Sequence, residues 1–141
     1  MTVLNWKIKV DIKKTLEVYK SISVINCECI YCQNYLQACD LYEPEIKKLF
    51  DNLGVDVKKS PEIYTMNQGE DGRHFYGGWY HFIGEIIDGE KELKSYQTFS
   101  KDFQIAFTET IYMKNDQFTD PIVQLEFVGY LPWVLDAKPE I

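Results

Sequence analysis

The stretch Phe75-Tyr76-Gly77-Gly78-Trp79-Tyr80-His81-Phe82-Ile83-Gly84 constrains the fold more than any other part of the chain. Side chains alternate faces along an extended strand, so Phe75, Trp79 and Ile83 point one way and Tyr76, Tyr80 and Phe82 the other. A strand that is bulky and apolar on both sides belongs inside a sheet, covered on each face. If helices cover one face only, the face of Tyr76, Tyr80 and Phe82 needs another cover, which the N-terminal segment, another protein or a small apolar ligand would supply. Gly77, Gly78 and Gly84 leave room in this strand for a bulge or for a close approach of backbone or ligand.

The remaining segments supply both strands and helices. Leu4, Trp6, Ile8, Val10 and Ile12 alternate with Asn5, Lys7, Lys9 and Asp11, the period of a half-buried strand. Residues 15–26 alternate again through Leu16, Val18, Ile22 and Val24 and read as a second strand. From Tyr31 the period changes: Cys32, Tyr35, Leu36 and Cys39 fall at helical spacing, with an interruption at residues 40–42. A second helix starts with Pro44 in its first turn, carries Glu43 and Glu45 near its positive end, buries Ile46, Leu49, Phe50 and Leu53, and stops at Gly54. Beyond Pro61, strands are predicted over residues 62–66, 74–87, 103–113 and 122–131, with residues 91–100 as a loop or short helical turn. Short polar connections favour an antiparallel meander, because parallel neighbours require long crossovers. The expected class is α+β: an antiparallel sheet, built from a C-terminal meander plus N-terminal strands, with two helices packed on one face. A chain of 141 residues fits one domain, spanning 1–141.

Charge and hydropathy narrow the partners. Twenty-two acidic residues against fifteen basic ones give a net charge of −7, which repels phosphate backbones and anionic lipid. Nucleic acid and membrane are therefore not expected partners, and Lys58-Lys59 is too short to form a basic patch. The N-terminus has no continuous apolar leader, and the longest apolar stretch, 127–135, is about half of the ~20 residues a membrane helix needs. The expectation is a cytoplasmic protein with reduced thiols.

Chemistry can concentrate at one place, where Cys27, Cys29 and Cys32 fall within six residues. Cys29-x-x-Cys32 has the spacing of a zinc knuckle, and Cys27 can swing in from the same turn. Cys39 lies seven residues past Cys32, about 10 Å along a continuous helix, so it would not join them. A fourth ligand would come from His74, His81, Glu28, Asp40 or water. A redox reading instead takes Cys29, at a junction leading into a helix N-terminus, as the attacking thiolate and Cys32 as its resolving partner. In the third reading Cys32 and Cys39 are simply small buried apolar groups.

His81 and Glu109 both fall on inward faces of their strands and form a candidate acid/base pair. No nucleophile elbow, phosphate loop, dinucleotide fingerprint, H-E-x-x-H or EF-hand loop is present. The sequence points to a non-enzymatic binding module that meets a partner through Tyr76, Tyr80 and Phe82, with the cysteine segment as a clamp holding zinc. Its alternative is a thiol-dependent redox protein or sensor.

Overall fold

The computed structural model describes residues 1–139. Its centre is a curled antiparallel sheet of seven strands: β1 (Thr2–Val3), β2 (Trp6–Val10), β3 (Glu62–Gln68), β4 (His74–Asp88), β5 (Gln97–Ser100), β6 (Phe103–Thr108) and β7 (Ile122–Leu131). The order is β1-β2-β4-β7-β6-β5, and β3 also pairs with β4. Three α-helices accompany the sheet among the described residues, α1 (Ile12–Ser21), α2 (Ile30–Ala38) and α3 (Pro44–Leu53), with a 3-10 turn at Cys39–Leu41.

β4 organises this arrangement. One of its edges pairs with β7 over ten residues without a break, from His74↔Leu131 to Ile83↔Ile122. Its other edge is shared, β3 taking the first half (Glu62↔Trp79 to Gln68↔His74) and β2 the second (Val10↔Gly84 to Lys7↔Asp88). The pairing runs straight through Gly77 and Gly78, and the irregularity lies in β3, between Thr65 and Asn67. Gly77 is needed for another reason: a Cβ there would sit 2.5 Å from the ring of Tyr64, which lies over it.

The strand order departs from a simple meander. β7 lies between β4 and β6, because the two longest apolar strands pair with each other, while β5 and β6 are added outside. Residues 97–100, expected in a loop or helical turn, form edge strand β5, and the strand predicted over residues 103–113 stops at Thr108.

The predicted strand over residues 15–26 is instead largely helix α1. Asp11 caps it, its carboxylate accepting from the Lys14 N–H at 3.1 Å. The inward residues are Thr15 and Tyr19, four apart, and both are docked by hydrogen bonds. Thr15 Oγ1 accepts from the Ile83 N–H at 3.0 Å and donates to the Asp11 carbonyl at 2.8 Å. Tyr19 donates to the His81 carbonyl at 2.7 Å. Leu16, part of the apparent alternation, is exposed.

Helix α3 follows its sequence signals from Pro44 to Gly54. Gly54 adopts φ +75, and a Cβ there would lie 3.1 Å from the Ile12 carbonyl, so glycine is required both for the turn and for the approach of α1. Ile46, Leu49, Phe50 and Leu53 are all buried. In the core, Phe50 meets Tyr80 edge-on with centroids 5.2 Å apart, and Tyr35 of α2 meets Tyr76 at 5.5 Å and Phe127 at 6.0 Å.

Tyr76, Tyr80 and Phe82 are therefore fully buried core residues, which corrects their expected role as a docking surface. The hydroxyls of Tyr76 and Tyr80 are consumed internally. Tyr80 donates to the Val57 carbonyl at 2.7 Å, so Tyr35 donates to Tyr80 at 2.5 Å and Tyr42 to Tyr35 at 3.0 Å. Tyr76 donates to the Tyr31 carbonyl at 2.8 Å. No helix among the described residues is long and apolar enough to cross a membrane.

Candidate metal centre

The cysteine segment lies where the irregular connection 22–29 enters α2. Cys29 is the N-cap: its backbone is extended and its sulfur accepts from the Cys32 N–H at 3.5 Å. This cap fixes the spacing of two of the sulfurs, because the capping atom and the residue three positions on must face each other. Gln33 holds the third, its side-chain amide donating to the Cys27 carbonyl at 2.8 Å. Cys27 Sγ consequently lies 3.2 Å from Cys29 Sγ, and the sulfurs of Cys27, Cys29 and Cys32 are all within 4.8 Å of one another.

The three thiols differ in environment. Cys27 and Cys29 are exposed, and Cys32 is buried. Hydrogen bonds from the Cys32 thiol and from the Cys29 backbone and thiol stabilise the Cys27 thiolate and lower its pKa below the ordinary 9.0. Burial, and then hydrogen bonding to its two neighbours, pushes the Cys32 thiol well above that value. Cys39 stands apart from the cluster. It is 1% exposed, its thiol donates to the Leu36 carbonyl at 3.5 Å, and burial pushes its pKa up to about 12.

These sulfurs could hold a metal ion. With Zn–S bonds of about 2.3 Å, the sulfurs of a tetrahedral site stand roughly 3.8 Å apart, so small side-chain rotations suffice. Among the described residues no histidine or carboxylate joins the three sulfurs. Asp40 is engaged with Lys58 at 3.1 Å, His81 packs against Phe118 and bonds Gln124, and His74 packs between Tyr31 and Trp133. The three sulfurs are thus an incomplete tetrahedral set among the described residues, with the Glu62 carboxylate near enough to act on Cys27 electrostatically.

His81 and Glu109 do not bond to each other. His81 Nε2 is 2.9 Å from Gln124 Oε1, whereas Glu109 Oε2 accepts from the Ile86 N–H at 3.1 Å and its Oε1 lies 3.9 Å from Lys91 Nζ. β6 has ended before Glu109, which removes the strand geometry that would have aligned them. His81 belongs instead to a polar row on the face of β4 and β7 opposite Tyr80: Gln124 Nε2 donates to Glu126 Oε2 at 3.0 Å, and Tyr96 donates to Glu126 Oε1 at 3.2 Å. Gln124 and Glu126 are the polar members of the strand over 122–131, and their two-residue spacing marks one face of it. Comparison with protein-family models, with curated proteins and with solved structures finds no match to this chain.

Proposed function

We propose that the chain is a non-enzymatic binding module in which Cys27, Cys29 and Cys32 hold a zinc ion at a solvent-facing site. The observation that carries this reading is the gathering of three sulfurs within 4.8 Å at the start of α2. Thiolates are soft ligands that suit zinc, and the ion would tie the 22–29 connection to the first turn of the helix. It must also displace the protons of the thiols, so occupancy falls as pH is lowered.

The test is elemental mass spectrometry on the full chain after exposure to zinc and removal of the excess. About one zinc per chain is expected, lost in Cys27→Ser, Cys29→Ser and Cys32→Ser and retained in Cys39→Ala, which alters a packed thiol. Metal-free wild-type protein, or equal loading of all four variants, overturns the reading.

The 3.2 Å separation of Cys27 and Cys29, with the lowered pKa of Cys27, favours a second reading in which the segment exchanges with disulfides. The Cys27 thiolate attacks one sulfur of a small-molecule disulfide and expels its other half as a thiolate. A second cysteine of the cluster, as thiolate, then displaces the remaining half, closing an internal disulfide. Oxidised glutathione is a suitable probe: two reduced glutathiones per chain and a loss of about 2 Da support this reading, and no exchange removes it.

A further inference from the structure

We propose that the cleft between the 22–26 connection, residues 59–61 and the 113–118 loop binds a phosphate monoester, with Lys59 and Lys114 as its polar contacts. The cleft has a volume of about 310 Å³. Its described lining includes Lys59, Lys114, His81, Asn26, Ser60 and Asn115 and no aspartate or glutamate. A cleft with two lysines and no carboxylate stands out in a chain of net charge −7.

Both ammonium groups have unused capacity. Lys59 Nζ donates to the Tyr19 carbonyl at 2.6 Å and Lys114 Nζ to the Phe118 carbonyl at 3.3 Å. Neither forms an ion pair among the described residues, whereas neighbouring Lys58 pairs with Asp40. Each has three N–H donors, of which one is committed to these bonds. Held by neutral carbonyls, they keep their charge available to an anion.

His81 borders the cleft with its Nδ1 sealed from it, so the ring responds to a bound anion through space and is not itself a contact. Gln124 Oε1 accepts from the Tyr112 N–H at 2.8 Å while Gln124 Nε2 donates to Glu126, which fixes the amide orientation. His81 Nε2 must then be the protonated nitrogen that donates to Oε1, leaving Nδ1, which is buried and has no partner. Desolvation lowers the His81 pKa, and Lys114 lowers it further, while Gln124 and the Tyr112 carbonyl oppose the shift. A dianion beside Lys114 and His81 would offset both effects and draw a proton onto Nδ1. Two ammonium groups match the charge of a phosphate group better than that of a monocarboxylate. The cleft also spans roughly ten times the volume a water takes in the liquid, leaving room for an organic substituent.

The experiment is a nuclear magnetic resonance titration of the full chain with glycerol phosphate, inorganic phosphate, acetate and sodium chloride at matched ionic strength. Glycerol phosphate should give saturable shifts at His81 and in residues 22–26 and 113–118, bind more tightly than phosphate or acetate, and raise the titration midpoint of His81. Lys114→Glu, a change at an exposed lysine, should weaken binding by at least about tenfold with the spectrum otherwise folded. Shifts matched by chloride, an unmoved His81 midpoint, or equal affinity in Lys114→Glu overturns the site. Tighter binding of inorganic phosphate than of its ester overturns the ligand assignment.

Discussion

Helix α2 starts among exposed thiols and ends inside the aromatic core, and the same residue type behaves differently at its two ends. At the start, Cys27 and Cys29 are exposed and the Cys27 thiolate is favoured by neighbouring donors. Just past the last turn, Cys39 is buried, and burial holds its proton in place. Between them Tyr35 passes its hydroxyl into the chain Tyr42–Tyr35–Tyr80. Proximity in sequence therefore says little about a cysteine's chemistry. What decides is whether its sulfur faces donors and water or the desolvated core.

The sharpest way to break this contrast is at the buried end. Tyr35→Ala should cost about 3–5 kcal/mol by urea denaturation, since it removes a fully buried ring and the donor to Tyr80, and a loss under about 1 kcal/mol would show that the core end is not anchored there. A smaller effect is expected in alkali. The Cys39 thiol titrates near 9.0 when unfolded and at about 12 when folded. The unfolded chain thus loses its proton first, and the contribution, complete below the lower value, is lost as pH rises towards the upper one. The urea midpoint should fall across that window, with a flatter fall in Cys39→Ala. An unchanged slope in that variant would contradict the burial argument.

The exposed end should respond little in stability and clearly in chemistry. Cys29→Ser in metal-free protein should change stability by less than about 0.5 kcal/mol, because serine is itself a good N-cap, and a larger loss would show that the sulfur packs structurally. The smallest effect concerns reaction rate. Alkylation of Cys27 by iodoacetamide should show a pH midpoint below 9.0 that moves up in Cys32→Ala, because the Cys32 hydrogen bond is the largest cause of the lowered pKa. A midpoint that stays put in the variant would mean that other groups set the reactivity.

Helix α3 could be read from residue 44 to residue 54 because its signals are local: proline at one end, glycine at the other and four apolar residues at helical spacing. The convergence of three cysteines was equally legible, since a single turn brings them together. Helix α1 was not, because its inward residues are Thr15 and Tyr19, polar side chains buried through bonds to the Ile83 N–H and the His81 carbonyl. An apolar alternation count gives no weight to such residues. The aromatic strand is legible as one covered on both faces, but nothing local shows that Tyr35 and Phe50 are what reach across to Tyr76 and Tyr80. The position of β7 between β4 and β6 is likewise a matter of distant pairing, invisible in connection lengths.

The pairing of β4 carries a consequence for how the chain acquires its shape during synthesis. Its early partners, β2 and β3, have already been made when it emerges, but the opposite edge of residues 74–83 waits for residues 122–131. Until the ribosome has delivered that segment, a bare row of peptide groups runs along the middle of a half-built sheet, open to pairing with the wrong neighbour. Completion is thus deferred to a late moment in translation, and a polypeptide halted before Ile122 should be prone to aggregate instead of persisting as a smaller folded unit.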